Sequence, residues 1–163
     1  MSASPSIGNP GTVAPRVNWP AMLVETTAEV FSTMVGATVV TPADGEVPVL
    51  AEVTGMVGIA GPLSATFSLR CSLQSATTIA SKMLGVTPEE AADQKCDAIG
   101  EICNMVAGYF KAKIGHGDSC KLSVPTVLAG TDYQIRSRSD DVIMELPLLY
   151  ERAPVWIALH IRP

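Results

Sequence analysis

"LSATFSLRCSLQSATTIASKMLG", residues 63–85, changes its period part-way along. Up to Arg70, Leu63, Ala65, Phe67 and Leu69 alternate with Ser64, Thr66, Ser68 and Arg70, the twofold pattern of a strand with one buried face. From Ser72 onward, Leu73, Ala76, Ile79, Ala80 and Met83 recur at helical spacing, with Ser72 placed to cap the start and Gly85 to end it. A strand that feeds directly into an amphipathic helix points to a layered domain of mixed class.

The neighbouring segments extend that pattern. Val47, Val49, Ala51, Val53 and Val57 share one side of an earlier strand, and the "GIAGP" turn joins it to the one above as an antiparallel hairpin. Upstream, "NWPAMLVETTAEVFSTMVG" offers Asn18 as a cap, Pro20 in the first turn, and Leu23, Thr27, Val30, Phe31 and Met34 on one face before Gly36. Downstream, Thr87, Pro88 and Glu90 make a capping-box start for a long helix that Gly115 and Gly117 end. The remainder, "KLSVPTVLAG", "DYQIRSR", "VIMELPLLY" and "VWIALHIR", reads as up to four strands in a meander. The order predicts an α+β domain over residues 19–163, preceded by a disordered tail over residues 1–18 that is rich in Ser, Pro and Gly.

Composition excludes several classes of function. A formal charge of −5 without a Lys/Arg cluster leaves no footprint for nucleic acid or an anionic membrane. Every apolar run is interrupted, as Glu52 interrupts "VPVLAEVTGMVG", short of the ~20 residues of a membrane helix. The start lacks the basic and apolar regions of a signal peptide, so a cytoplasmic location is expected. Cys71, Cys96, Cys103 and Cys120 show neither CxxC pairing nor zinc spacing and read as reduced structural thiols. His116, Asp118 and Cys120 alternate in "HGDSC", which can serve a transition metal but reads better as a turn after the helix, and His160 reads as a surface or pairing residue of the last strand.

The long helix carries "DAIGEICNMVAG", residues 97–108. At about 100° per residue, Asp97, Glu101 and Asn104 fall within roughly 60° of one another, with Gly108 on the same face and Gly100 beside it. Ile99, Ile102, Val106, Tyr109 and Phe110 form the opposite, apolar stripe. A glycine inside a helix costs about 1 kcal/mol against alanine, so two beside a polar triad point to close approach of another molecule. Without a Ser/His pair, metal cluster or phosphate loop, such a face can orient a water and grip a cation, because an amide both donates and accepts and a carboxylate pairs with Lys. Glu25, Glu29 and Ser32 in the first helix repeat the spacing of the triad without its amide. A plain solvated helix face is the competing reading of the same residues, and Asp97 also fits a helix-start acid.

The pattern Asp97-x-x-x-Glu101-x-x-Asn104, on a helix that follows two strands and a shorter helix, with Pro125 in "LSVPTV" downstream, resembles the CheX members of the CheC/CheX/FliY chemotaxis phosphatase family. The resemblance runs from about Trp19 to the C-terminus. It implies a CheC-like fold, a largely antiparallel sheet with long helices packed on one face. It further implies dephosphorylation of the phospho-aspartate of a CheY-like response regulator, with Glu101 engaging the regulator's Lys and Asn104 positioning the attacking water. Asp97, Gly100, Met105, Gly108 and Pro125 would then contact the receiver domain. No cofactor belongs to this chain on that reading, the Mg²⁺ being the partner's, and a homodimer formed through the sheet is expected. A receiver-binding module that hydrolyses nothing, and a structural dimer in which the glycines serve packing, are the alternatives.

Overall fold

The computed structural model describes residues 14–43, 51–131, 133–136 and 141–163. The chain runs through α1 (Trp19–Val30), β1 (Val39–Val40), β2 (Val53–Ala60), β3 (Ala65–Cys71), α2 (Leu73–Leu84), α3 (Pro88–Ala91), α4 (Lys95–Lys113), β4 (Lys121–Leu122), β5 (Thr126–Ala129), β6 (Val142–Tyr150) and β7 (Ala153–Ile161).

The strand-to-helix switch falls where the period changes. β2 and β3 pair antiparallel with Val57 opposite Phe67, and Ser72 caps α2 by accepting the N–H of Ser75 at 3.0 Å. α2 ends at Gly85, whose φ of +67° suits a residue without a Cβ. The capping box of Thr87 and Glu90 is present, but it starts the four-residue α3. A tight turn at Ala92–Gln94 then separates α3 from α4, so the long helix begins at Lys95, not at Thr87. The Lys95 ammonium donates to the Ala92 carbonyl at 2.8 Å and satisfies an acceptor that the break takes out of the helical ladder.

Two other expectations are corrected near the N-terminus. Asn18 makes no side-chain cap, because Arg16–Asn18 already form a 3₁₀ turn that runs straight into α1. The end of the expected tail is also held in place. The N–H of Ala14 donates to the Ile114 carbonyl at 2.9 Å, and the Trp19 indole donates to the Ala14 carbonyl at 3.0 Å. Residues 1–13 of that tail, and Val47 and Val49 of the expected strand, lie outside the described residues.

The sheet has the order β1-β6-β7-β3-β2-β4, with β5 also paired to β2, and every pairing is antiparallel. The last strands therefore do not form a meander. β4 and β5 close one edge while β6 and β7 form a hairpin toward the other, and Tyr133–Arg136, after β5, lie on the face of the sheet away from the helices. There the Tyr133 hydroxyl shares a 2.7 Å hydrogen bond with Thr54, and Tyr133–Arg136, expected as strand, are irregular.

α1, α2 and α4 pack over the opposite face around Trp19, Leu23, Phe31, Phe67, Ile79, Phe110 and Tyr150, with Trp19 edge-on to Phe110 at 5.8 Å. α4 lies directly on β2. A Cβ at Gly55 would come within 2.6 Å of the Cys103 Sγ and 2.9 Å of Ile99 Cγ2, so glycine there permits the close seating that fixes α4 in place.

Candidate functional site on the long helix

Packing divides α4 into two faces. Ala98, Ile99, Gly100, Ile102, Cys103, Val106, Ala107 and Phe110 are buried. Asp97 and Glu101 are exposed, and Asn104, Met105 and Gly108 are half-buried. Tyr109 departs from the expected stripe: it lies on its rim and is 49% exposed. The acid and amide groups thus project from a helix whose other side is locked into the core, which fixes their spacing without burying them.

Charge separates this face from its echo in α1. Lys113, in the last turn of α4, bonds Glu29 at 2.8 Å and lies 3.7 Å from Glu25, so both acids of the first helix are occupied within the domain. Among the described residues no cation pairs with Asp97 or Glu101. Asp97 sits in the first turn of α4, where the positive end of the helix dipole favours an acid whatever binds there.

The two glycines do different things. A Cβ at Gly100 would stand 3.3 Å from Pro125 Cβ and 3.4 Å from Val127 Cγ2. Gly100 is therefore buried beneath this chain's own β5 and is not open to a partner, which corrects its expected role. Pro125 is half-buried against Gly100, which lies one helical turn before Asn104. At Gly108 an added Cβ would meet only Leu122 Cδ1 at 3.6 Å, an ordinary contact, so nothing in the domain requires a glycine there. Met105 packs partly against the core.

Other candidate chemistry falls away. Burial, and secondarily Glu52, pushes the Cys71 thiol up to about 12; burial likewise raises Cys103, with Cys71 beside it, so neither offers a thiolate near neutral pH. In the turn after α4, His116 Nδ1 is 3.2 Å from the Ser119 hydroxyl while the buried Cys120 thiol points to the Leu63 carbonyl at 3.8 Å. Among the described residues no group of three His, Cys, Asp or Glu side chains is placed to hold a metal ion. His160 pairs with Thr66 on the sheet face away from the helices, and burial lowers its pKa against the opposing pull of Glu145. No helix among the described residues is long and apolar enough to cross a membrane.

A family model described as chemotaxis phosphatase CheX matches residues 53–149, more than half of the chain and the whole of α4. The chain belongs to the CheX family. A curated relative, the CheY-P phosphatase CheX of Thermotoga maritima, is 33% identical over 95 residues, 57% of this chain and 60% of that protein's length. The chemotaxis protein CheX of Vibrio vulnificus superposes with a TM-score of 0.76 at 22% identity, covering 91% of this chain and 99% of that one. A Borrelia burgdorferi CheX, solved as a CheX–CheY–BeF₃–Mg²⁺ complex, gives a TM-score of 0.74 at 16% identity over 91% of this chain and all of that one. At such identities the superpositions establish the fold. The CheX fold of this chain is the antiparallel sheet and helical layer described above.

Sequence reasoning missed a shallow depression beside the face, lined by Met83 and Leu84 at the end of α2, Gln94, and Asp97, Ala98 and Glu101 of α4. Its sequence signal is Leu84, an apolar residue at a helix end; the turn at Ala92–Gln94 that completes it contains no glycine or proline to announce it.

Proposed function

We propose that this chain is a phosphatase that removes the phosphoryl group from the phospho-aspartate of a CheY-like receiver domain. What carries the reading is the exposed Glu101 and the half-buried Asn104, three residues apart on a helix held by its buried face, with no cation among the described residues pairing with the carboxylate. Membership of the CheX family and the CheX–CheY complex of the Borrelia relative support it.

In this mechanism the receiver docks with its phosphoryl group against Asn104 and its active-site Lys against Glu101. The Asn104 carbonyl accepts a hydrogen bond from a water and its NH₂ donates to an oxygen near the phosphorus, which holds the water in line. The water oxygen bonds to phosphorus as the bond to the aspartyl oxygen breaks, and the aspartate leaves as a carboxylate while inorganic phosphate departs carrying both of the water's protons, one of which it can release to solvent. The receiver's own acids would hold a Mg²⁺, which would supply charge neutralisation at the phosphoryl oxygens. Asp97 and Glu101 alone are too few donors for this chain to hold that ion. Pro125 and Gly108 border the docking face. The protein works in the cytoplasm, as a homodimer joined through its sheet.

The test is decay of a phosphorylated receiver with and without the protein. Removal of a positioning amide costs about 100-fold in rate, ~2.7 kcal/mol of barrier, so Asn104→Ala should lose that much while keeping its circular dichroism spectrum and melting temperature. Equal phosphate release from Asn104→Ala and the wild type refutes the mechanism. Complex formation without any acceleration by the wild type identifies a binding module instead.

A further inference from the structure

The depression at the foot of α4 has an apolar floor and an acidic rim. Ala98 is buried at its base beside the half-buried Met83, Leu84 stands at its edge 46% exposed, and Asp97 and Glu101 flank it one helical turn apart. The lining contains no cation, and the nearby Lys82 is drawn away to Glu151. Glu101 belongs both to this depression and to the acid–amide face.

We propose that this depression selects the receiver: it takes one apolar side chain from the receiver's surface, with an adjacent basic group pairing with Asp97, while Glu101 holds the active-site Lys. The inference rests on the phosphatase reading and adds to it Leu84 and Met83 as specificity residues that touch neither the phosphoryl group nor the attacking water. Continuity identifies the occupant, because a partner whose Lys reaches Glu101 already lies over the wall that Glu101 shares with Leu84. Charge agrees: two carboxylates that no described cation pairs with, around an apolar floor, suit an apolar side chain next to a cation and disfavour an acidic segment. Placement agrees as well, since the turn at Ala92–Gln94 sets Gln94 on the rim while Leu84 at the end of α2 stays open.

The experiment measures KM and kcat for decay of the phosphorylated receiver, together with Kd for the receiver carrying beryllium fluoride as a phosphoryl mimic. Nearly half of Leu84 remains to be covered, so Leu84→Ala should raise KM and Kd roughly fivefold to tenfold with kcat unchanged, and Leu84→Met should restore most of the loss. Leu84→Asp should raise both constants further, and Asp97→Asn should raise them while flattening their dependence on salt. Wild-type values for Leu84→Ala and Asp97→Asn, alongside a wild type that accelerates decay, overturn the inference and leave the phosphatase reading intact. A wild type that binds without accelerating decay, with binding still weakened by Leu84→Ala, overturns the phosphatase reading and retains the docking site. If the wild type binds no receiver, both fall.

Discussion

Gly108→Ala separates what the fold needs from what a partner needs. Gly108 has no positive φ, lies in the interior of α4, and would place a new methyl 3.6 Å from Leu122 Cδ1. Replacing a mid-helix glycine by alanine is worth about 0.8–1.0 kcal/mol, and one added carbon contact contributes ~0.2 kcal/mol more. A gain of about 1 kcal/mol raises the melting temperature of a domain of this size by roughly 2–4 °C. In the proposed docking the same methyl would stand against a receiver seated on Asn104, where a displacement of ~1 Å costs on the order of 100-fold in rate. The variant should therefore be more stable by differential scanning calorimetry and at least tenfold slower in receiver dephosphorylation. A melting temperature 2–4 °C higher with unchanged dephosphorylation would refute close approach at Gly108, and a lower melting temperature would refute the open packing against Leu122.

The other expectations are narrower. Cys71 keeps its proton in the folded state up to about 12, whereas its ordinary value is 9.0, so its contribution to stability is full below pH 9 and is lost as the pH rises from 9 toward 12. Urea unfolding across that range should show Cys71→Ala losing less stability than the wild type, and parallel losses would contradict the assigned burial. Glu29→Ala breaks an exposed ion pair with Lys113 worth about 0–1 kcal/mol and should leave dephosphorylation unchanged, because the α1 face has no amide and its acids are already paired with Lys113. A tenfold drop in turnover for that variant would show otherwise.

Much of the helical layer was legible in the sequence because its signals are local. The serine that caps α2, the glycine that ends it, and the three- and four-residue spacing that sets Glu101 and Asn104 on one face depend only on neighbours within a turn or two. The same logic failed where a local signal was correct but incomplete. The capping box at Thr87 started a helix as expected, yet nothing in "EEAADQK" announced that it would last one turn. Tyr109 fitted the apolar period and still emerged at the surface, since burial depends on what lies opposite, which periodicity does not encode.

The sequence by itself determined an α+β chain, an amphipathic helix from the capped Ser72, and an acid–amide face opposite an apolar one, because short-range spacing and capping control each of these. Only the tertiary structure decided which glycine is free. Gly100 and Gly108 are indistinguishable as letters in "DAIGEICNMVAG", but β5 pairs with β2 rather than with its sequence neighbours and lays Pro125 and Val127 over the first. The tertiary structure likewise spent Glu25 and Glu29 on Lys113, 84 residues from Glu29, and among the described residues left Glu101 without a cation. The physical reason is the same in both cases: contacts between residues far apart in the chain follow from how the sheet closes and how the helices pack on it, and no local pattern records them.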